Sequence, residues 1–138
     1  MPTINLLDSN SITALLNGNV AIIDKWANLP DEDELVTCFV VVAEWEYGIL
    51  NARDQNKREQ LRSQGNLILS NLSRVIQSSW EINMAYGQIA AELRRAGTMI
   101  PQNDIWIAAV ARSIGATVVT NDGHFLMVSK LSVIDWTK

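Results

Sequence analysis

Apolar residues fall along the chain in short blocks set apart by polar clusters, and the blocks alternate between two kinds. Ile4, Leu6 and Leu7 form a run that stops at Asp8-Ser9-Asn10-Ser11, four residues of helix N-cap type, after which Ile12, Leu15 and Leu16 recur at helical spacing. This predicts strand, turn, helix. A second helix is expected after Asn19, and the stretch from Leu29 to Glu34 is expected as an exposed acidic connector. Residues 36–42 are β-branched and apolar on both alternating faces, as a buried parallel strand requires, and residues 43–50 turn to helical character. Residues 53–72 are rich in helix formers, with Leu61, Leu67, Ile68, Leu69 and Leu72 as the apolar positions. Val75-Ile76 offers a short strand. Ser78 or Ser79 caps a helix over residues 80–95, in which Ala85, Ile89 and Leu93 share one face, and Gly97 marks its end. Beyond Pro101, Asn103-Asp104 opens a helix, apolar around most of its surface, over residues 105–114. Gly115 leads into a strand over residues 116–120, and a last strand lies near residues 131–134.

Strands alternating with helices imply parallel βαβ units, hence a three-layer α/β/α sandwich. At 138 residues, 48% of them hydrophobic, the chain can bury one substantial core, so residues 1–138 are expected to form a single domain. Cys38, the only cysteine, sits beside Phe39-Val40-Val41-Val42 and reads as a small buried hydrophobe, with no disulfide framework possible. The stretch from Met1 to Asn5 lacks the basic start and long apolar core of a signal peptide, and no apolar run could span a bilayer. A soluble, cytoplasmic protein is expected. A formal charge of −4 argues against a general nucleic-acid coat protein, since phosphate binding draws on Lys and Arg, but leaves room for an acidic pocket that holds metal ions.

In open parallel sheets, sites form beyond the carboxyl ends of the strands. Asp8 ends the first strand, Glu44 lies just past the second, Asp104 is in the first turn of a helix, and Asp122 ends the penultimate strand, so all four can share one edge. Clustered carboxylates repel unless some are protonated or cations lie between them, and hard oxygen ligands suit Mg²⁺ or Mn²⁺. Glu44 and Glu46 are two positions apart and point to nearly opposite sides of a helix, so only one can join; Glu44 is the choice. Each acid also has a purely local explanation. Asp8 is of cap type, Asp104 favours the positive end of a helix dipole, and Asp122 belongs to "TNDG", whose Asn-Asp-Gly is β-turn chemistry and first suggests a hairpin. The weight lies in their combination.

The chain resembles the PIN-domain ribonucleases, in particular VapC-type toxins of bacterial and archaeal toxin–antitoxin systems. The resemblance rests on "LLDSN" at residues 6–10, "AEWEYG" at 43–48, "YGQIAAELRRAG" at 86–97, "PQNDIWIAA" at 101–109 and "ATVVTND" at 116–122, in that order and spacing. It implies that Asp8, Glu44, Asp104 and Asp122 are the acidic metal-site residues of a catalytic centre, with Ser9 or Asn10 and Thr120 or Asn121 supporting them through hydrogen bonds. Ser9 replaces the commoner threonine and keeps the hydroxyl. It further implies a parallel sheet of four or five strands, Mg²⁺ (or Mn²⁺), an RNA substrate, a homodimer and a small antitoxin partner.

The expected chemistry is metal-dependent hydrolysis of RNA phosphodiester bonds, with Arg53, Lys57, Arg58, Arg94, Arg95 and Arg112 available for phosphate contact. The rival reading is a catalytically inactive module that holds RNA or protein. A phospho-receiver or nucleotide-binding domain fits less well, because the first strand lacks a paired-acid ending and no glycine-rich phosphate loop follows it. Trp45, Tyr47, Trp80, Tyr86 and Trp106 are read as packing residues rather than base-stacking platforms. Ile12, Leu15, Leu16 and Ile22 serve either as core or as a groove for an antitoxin helix. His124, the only histidine, is left outside the site.

Overall fold

The computed structural model describes residues 2–138; Met1 lies outside them. The chain runs β1 (Ile4–Leu7), α1 (Ser9–Leu16), α2 (Val20–Ala27), β2 (Glu34–Cys38), α3 (Phe39–Asn51), α4 (Gln55–Ser70), β3 (Arg74–Ile76), α5 (Trp80–Ala96), α6 (Gln102–Ile114), β4 (Thr117–Val119), a 3₁₀ turn (Gly123–Met127) and β5 (Ser132–Ile134). All five strands are parallel, in the order β3-β2-β1-β4-β5, and helices flank the sheet. The predicted α/β/α sandwich is what the chain forms. No helix among the described residues is long and apolar enough to cross a membrane.

That strand order fixes where a site can form. From β1 the chain builds outward to β2 and β3 on one side, then crosses back to place β4 and β5 on the other. The connections therefore diverge between β1 and β4, and a crevice opens beyond the carboxyl ends of those two strands. Their register pairs Leu7 with Val119, so the next residues, Asp8 and Thr120, emerge side by side at the crevice.

Local chemistry accounts for the helix starts. Asp8 caps α1 through Ser11 N–H, Asn19 caps α2 through Ile22 N–H, and Ser79, of the two serines considered, caps α5 through Ile82 N–H. Gly97 ends α5 at φ 71°, a left-handed conformation that costs glycine little. The core gathers Leu6, Leu7, Val36, Val118 and Val119 from the strands with Ile12, Ile22, Ile82, Ile89 and the inner face of α6.

Four expectations need correction. The second strand does not run to residue 42: it stops at Cys38, and Phe39 already begins α3. Continuous apolar runs carry no periodicity to separate buried strand from buried helix, and the modest helix cost of valine is offset by burying Val40 and Val41. The acidic connector also ends early, since Glu34 is the first residue of β2 and pairs with Arg74 of β3 at 2.7 Å. Asn-Asp-Gly makes no hairpin; its aspartate caps the 3₁₀ turn instead. Of the aromatics, Trp45, Tyr86 and Trp106 pack against the core, with Tyr86 and Trp106 stacked at 4.1 Å between ring centres, but Tyr47 and Trp80 lie 72% and 74% exposed.

Candidate active site

The crevice holds an open pocket of about 460 Å³ whose walls include Asp8, Ser9, Asn10, Glu44, Asp104, Asp122 and His124, together with Pro101, Gln102, Asn103 and Ile107. All four acids chosen from the sequence face it, and none of these lining residues is Lys or Arg. Each acid arrives on a different element. Asp8 follows β1, Glu44 stands in the second turn of α3, Asp104 in the first turn of α6, and Asp122 two residues after Thr120. The early start of α3 is what turns Glu44 inward. Glu46, two positions on, points away and pairs with Arg62 of α4 at 2.6 Å, which holds its carboxyl below the ordinary range.

Asp8 is the most buried of the acids, at 3% exposure. One carboxylate oxygen accepts Ser11 N–H at 2.8 Å and the other accepts the hydroxyl of Thr120. Its capping role and its place on the pocket wall are thus compatible, because a carboxylate offers about four acceptor sites. Burial pushes its pKa up, Thr120 and Ser11 pull it back, and Asp104 adds to the rise. Thr120 serves both sides of the crevice: it donates to Asp8 and accepts Asp122 N–H at 2.9 Å. Ser11 ties α1 to β4 by donating to the Val119 carbonyl at 2.6 Å.

The remaining polar residues named from the sequence also meet here. Ser9 donates to Glu44 at 2.7 Å, joining the start of α1 to α3. Asn10 donates to Asn121 at 3.4 Å across the pocket rim. Of the four supporting residues named, Ser9 and Thr120 bond directly to acids, whereas Asn10 and Asn121 bond to each other.

The acids do not converge on one point. Among the described residues, the group whose ligand atoms lie within 4.8 Å of one another is Asp104, Asp122 and His124, with Asp8 and Glu44 on the surrounding walls. His124, set aside on sequence grounds, thus belongs to the pocket. Its Nδ1 is 2.9 Å from Asp104 and 3.2 Å from Asp122. Two local features hold it there: Asp122 accepts His124 N–H at 2.9 Å, and Phe125, buried in the core, pins the turn. Donation of the imidazole Nδ1–H to Asp104 raises the imidazole pKa. Asp104 is itself raised, chiefly by burial, against the lowering effect of His124. Nothing local marked this pairing in the sequence, since Asp104 lies 20 residues earlier in the chain; only an aspartate two residues before the histidine hinted at a capped turn.

Four carboxylates share these walls with His124 as the one basic side chain among the lining residues, and their oxygens are hard donors. A divalent ion such as Mg²⁺ or Mn²⁺ fits that donor set. Cys38, by contrast, is fully buried, and burial raises its thiol pKa, so it offers no nucleophile.

Known proteins place this arrangement. Ribonuclease VapC1 of Haemophilus influenzae strain R2866 is 32% identical over 137 residues, which span 98% of this chain and 99% of that one. The solved structure of VapBC-1 from nontypeable Haemophilus influenzae superposes with a TM-score of 0.88 at 30% identity, covering 99% of this chain and 100% of that one. VapBC2 from Rickettsia felis, solved bound to a DNA fragment from its promoter, gives a TM-score of 0.89 at 28% identity over 97% and 99% of the two chains. The family profile of the PIN domain matches residues 6–131, and the chain accordingly belongs to the PIN-domain family.

Proposed function

We propose that this chain is a divalent-metal-dependent endoribonuclease that hydrolyses RNA phosphodiester bonds, acting as the toxin of a type II toxin–antitoxin pair in the cytoplasm. The observation that carries it is the meeting of Asp8, Glu44, Asp104 and Asp122 around one pocket at the β1–β4 crevice, with no Lys or Arg among the lining residues. The relatives named as ribonucleases support the substrate class.

In this reading, Asp104 and Asp122 would hold the cation, with the carboxylates of Asp8 and Glu44 lining the same pocket. The ion, when bound, supplies Lewis-acid activation of water and offsets charge developing on the phosphate. The protein supplies orientation. Thr120 and Ser11 hold Asp8, Ser9 holds Glu44, and Thr120 fixes the backbone of Asp122, so the carboxylates are set before substrate arrives. Of the basic residues expected to contact phosphate, Arg53 and Lys57, near the start of α4, are exposed. Arg112 is unsuited, because its guanidinium is engaged by Glu92 and the Ser129 carbonyl.

A homodimer and an antitoxin partner belong to the same proposal, and the VapBC assemblies solved for relatives support the partner. Ile12 and Ile22 are core, which leaves the half-buried Leu15 and Leu16 and the exposed Val20 and Ile23 as the apolar residues of this segment open to a partner helix. Incubating purified chain with structured RNA in Mg²⁺, Mn²⁺ or EDTA, followed by sequencing of new 5′ ends, tests the activity. Discrete ends that depend on the ion are expected, and ends that persist in EDTA would overturn the metal dependence. Co-purification with the product of the neighbouring gene tests the partner.

A further inference from the structure

We propose that the imidazole of His124 is a nitrogen ligand to the cation held by Asp104 and Asp122, and that this donor makes the site favour Mn²⁺ over Mg²⁺. The inference deepens the metal-dependent reading above and rests on it.

The geometry is that of a coordination edge. Ions of this class sit about 2.1 Å from their ligands, so neighbouring ligand atoms around an octahedral ion are about 3.0 Å apart. His124 Nδ1 lies 2.9 Å from Asp104 Oδ2 and 3.2 Å from Asp122 Oδ1, both close to that edge length. The three residues are the group among the described residues whose ligand atoms lie within 4.8 Å of one another. The backbone holds the ring in this attitude without metal: Asp122 caps the turn at His124 N–H, and Phe125 anchors it from below. Without an ion, Nδ1–H donates to the carboxylates; a bound ion would take the place of that proton, and the ring side chain, 49% exposed, lets Nε2 carry the remaining one.

The donor type then sets the preference. Carboxylate oxygens serve Mg²⁺ and Mn²⁺ alike, whereas imidazole nitrogen suits first-row transition ions and gives little to Mg²⁺, which keeps oxygen ligands and water. A pocket of carboxylates alone would separate the two ions weakly. Adding one nitrogen tilts it.

The chain's single histidine makes the test unambiguous, provided the protein is untagged. Pulsed electron paramagnetic resonance of Mn²⁺ bound to the wild type should show coupling to an imidazole nitrogen, and His124→Ala should abolish it. Calorimetry should show that His124→Ala weakens Mn²⁺ on the order of tenfold while Mg²⁺ binding changes far less, with His124→Gln behaving like the alanine variant. A nitrogen-free spectrum from the wild type, or equal losses for the two ions, overturns the role of His124 and leaves the metal-dependent nuclease standing. A wild type that binds neither ion overturns that broader reading instead.

Discussion

Asp8 carries the clearest conflict in the molecule between stability and function. Its carboxylate is buried, and burial raises its pKa above the unfolded value. The folded state therefore holds this proton more tightly than the unfolded state does. Stability relative to a permanently neutral side chain is full below the unfolded pKa and is lost as pH rises through the folded one. Asp8→Asn is predicted to stabilise the metal-free protein at neutral pH, with the gap over wild type closing as the solution is acidified. Denaturation in EDTA at a series of pH values reads this, and a gap that does not change with pH would contradict it. Thr120→Val removes a buried hydroxyl that serves both Asp8 and the backbone of Asp122, and should cost about 1–3 kcal/mol in chemical denaturation, the penalty for stranding buried polar partners. Glu44→Gln should lower ion-dependent cleavage, whereas Glu46→Gln, on the other side of the same helix, should leave it intact; equal losses would refute the assignment. That only one of Glu44 and Glu46 can face the pocket was legible, because helical geometry forbids both. His124 was not, because its partner Asp104 comes from another element and only the folded chain brings them together.

Helices and strands whose edges are marked by caps were the legible ones. Asp8, Asn19, Ser79 and Gly97 announce their boundaries chemically, and each boundary lies where they put it. The β2–α3 junction carries no such mark: Cys38 makes no side-chain capping bond, and the apolar run continues across it. That junction decides the direction of Glu44, so the least legible boundary is one on which the site depends. Another unmarked feature is the contact of α3 with α4. Gly65 lies inside α4, where alanine would gain about 0.8–1.0 kcal/mol in helix propensity, yet a Cβ there would fall 2.1 Å from Trp45 Nε1. The clash should prevail, because forcing atoms into a packed contact costs about 1–3 kcal/mol. Gly65→Ala is predicted to lower the denaturation midpoint, and a raised midpoint would show that α4 shifts freely.

The α/β/α architecture followed from alternation of strands and helices, but the strand order did not, since alternation alone is silent on which side of β1 the later strands are added. The order β3-β2-β1-β4-β5 is what opens the crevice and brings Asp8, Asp104, Asp122 and His124 to one pocket. If that pocket holds a cation only when folded, the ion must stabilise the whole fold by mass action. At a hundredfold excess over its dissociation constant the gain is about 2.7 kcal/mol, visible as a denaturation midpoint that rises with Mn²⁺ and falls back in EDTA. The decisive experiment compares cleavage of a structured RNA by wild type and by Asp104→Asn, each with Mn²⁺ and each confirmed folded by circular dichroism. The wild type should cut the RNA at discrete positions, with cleavage by the variant reduced on the order of a hundredfold; equal cleavage by the two proteins would contradict the assignment of this pocket as the catalytic centre.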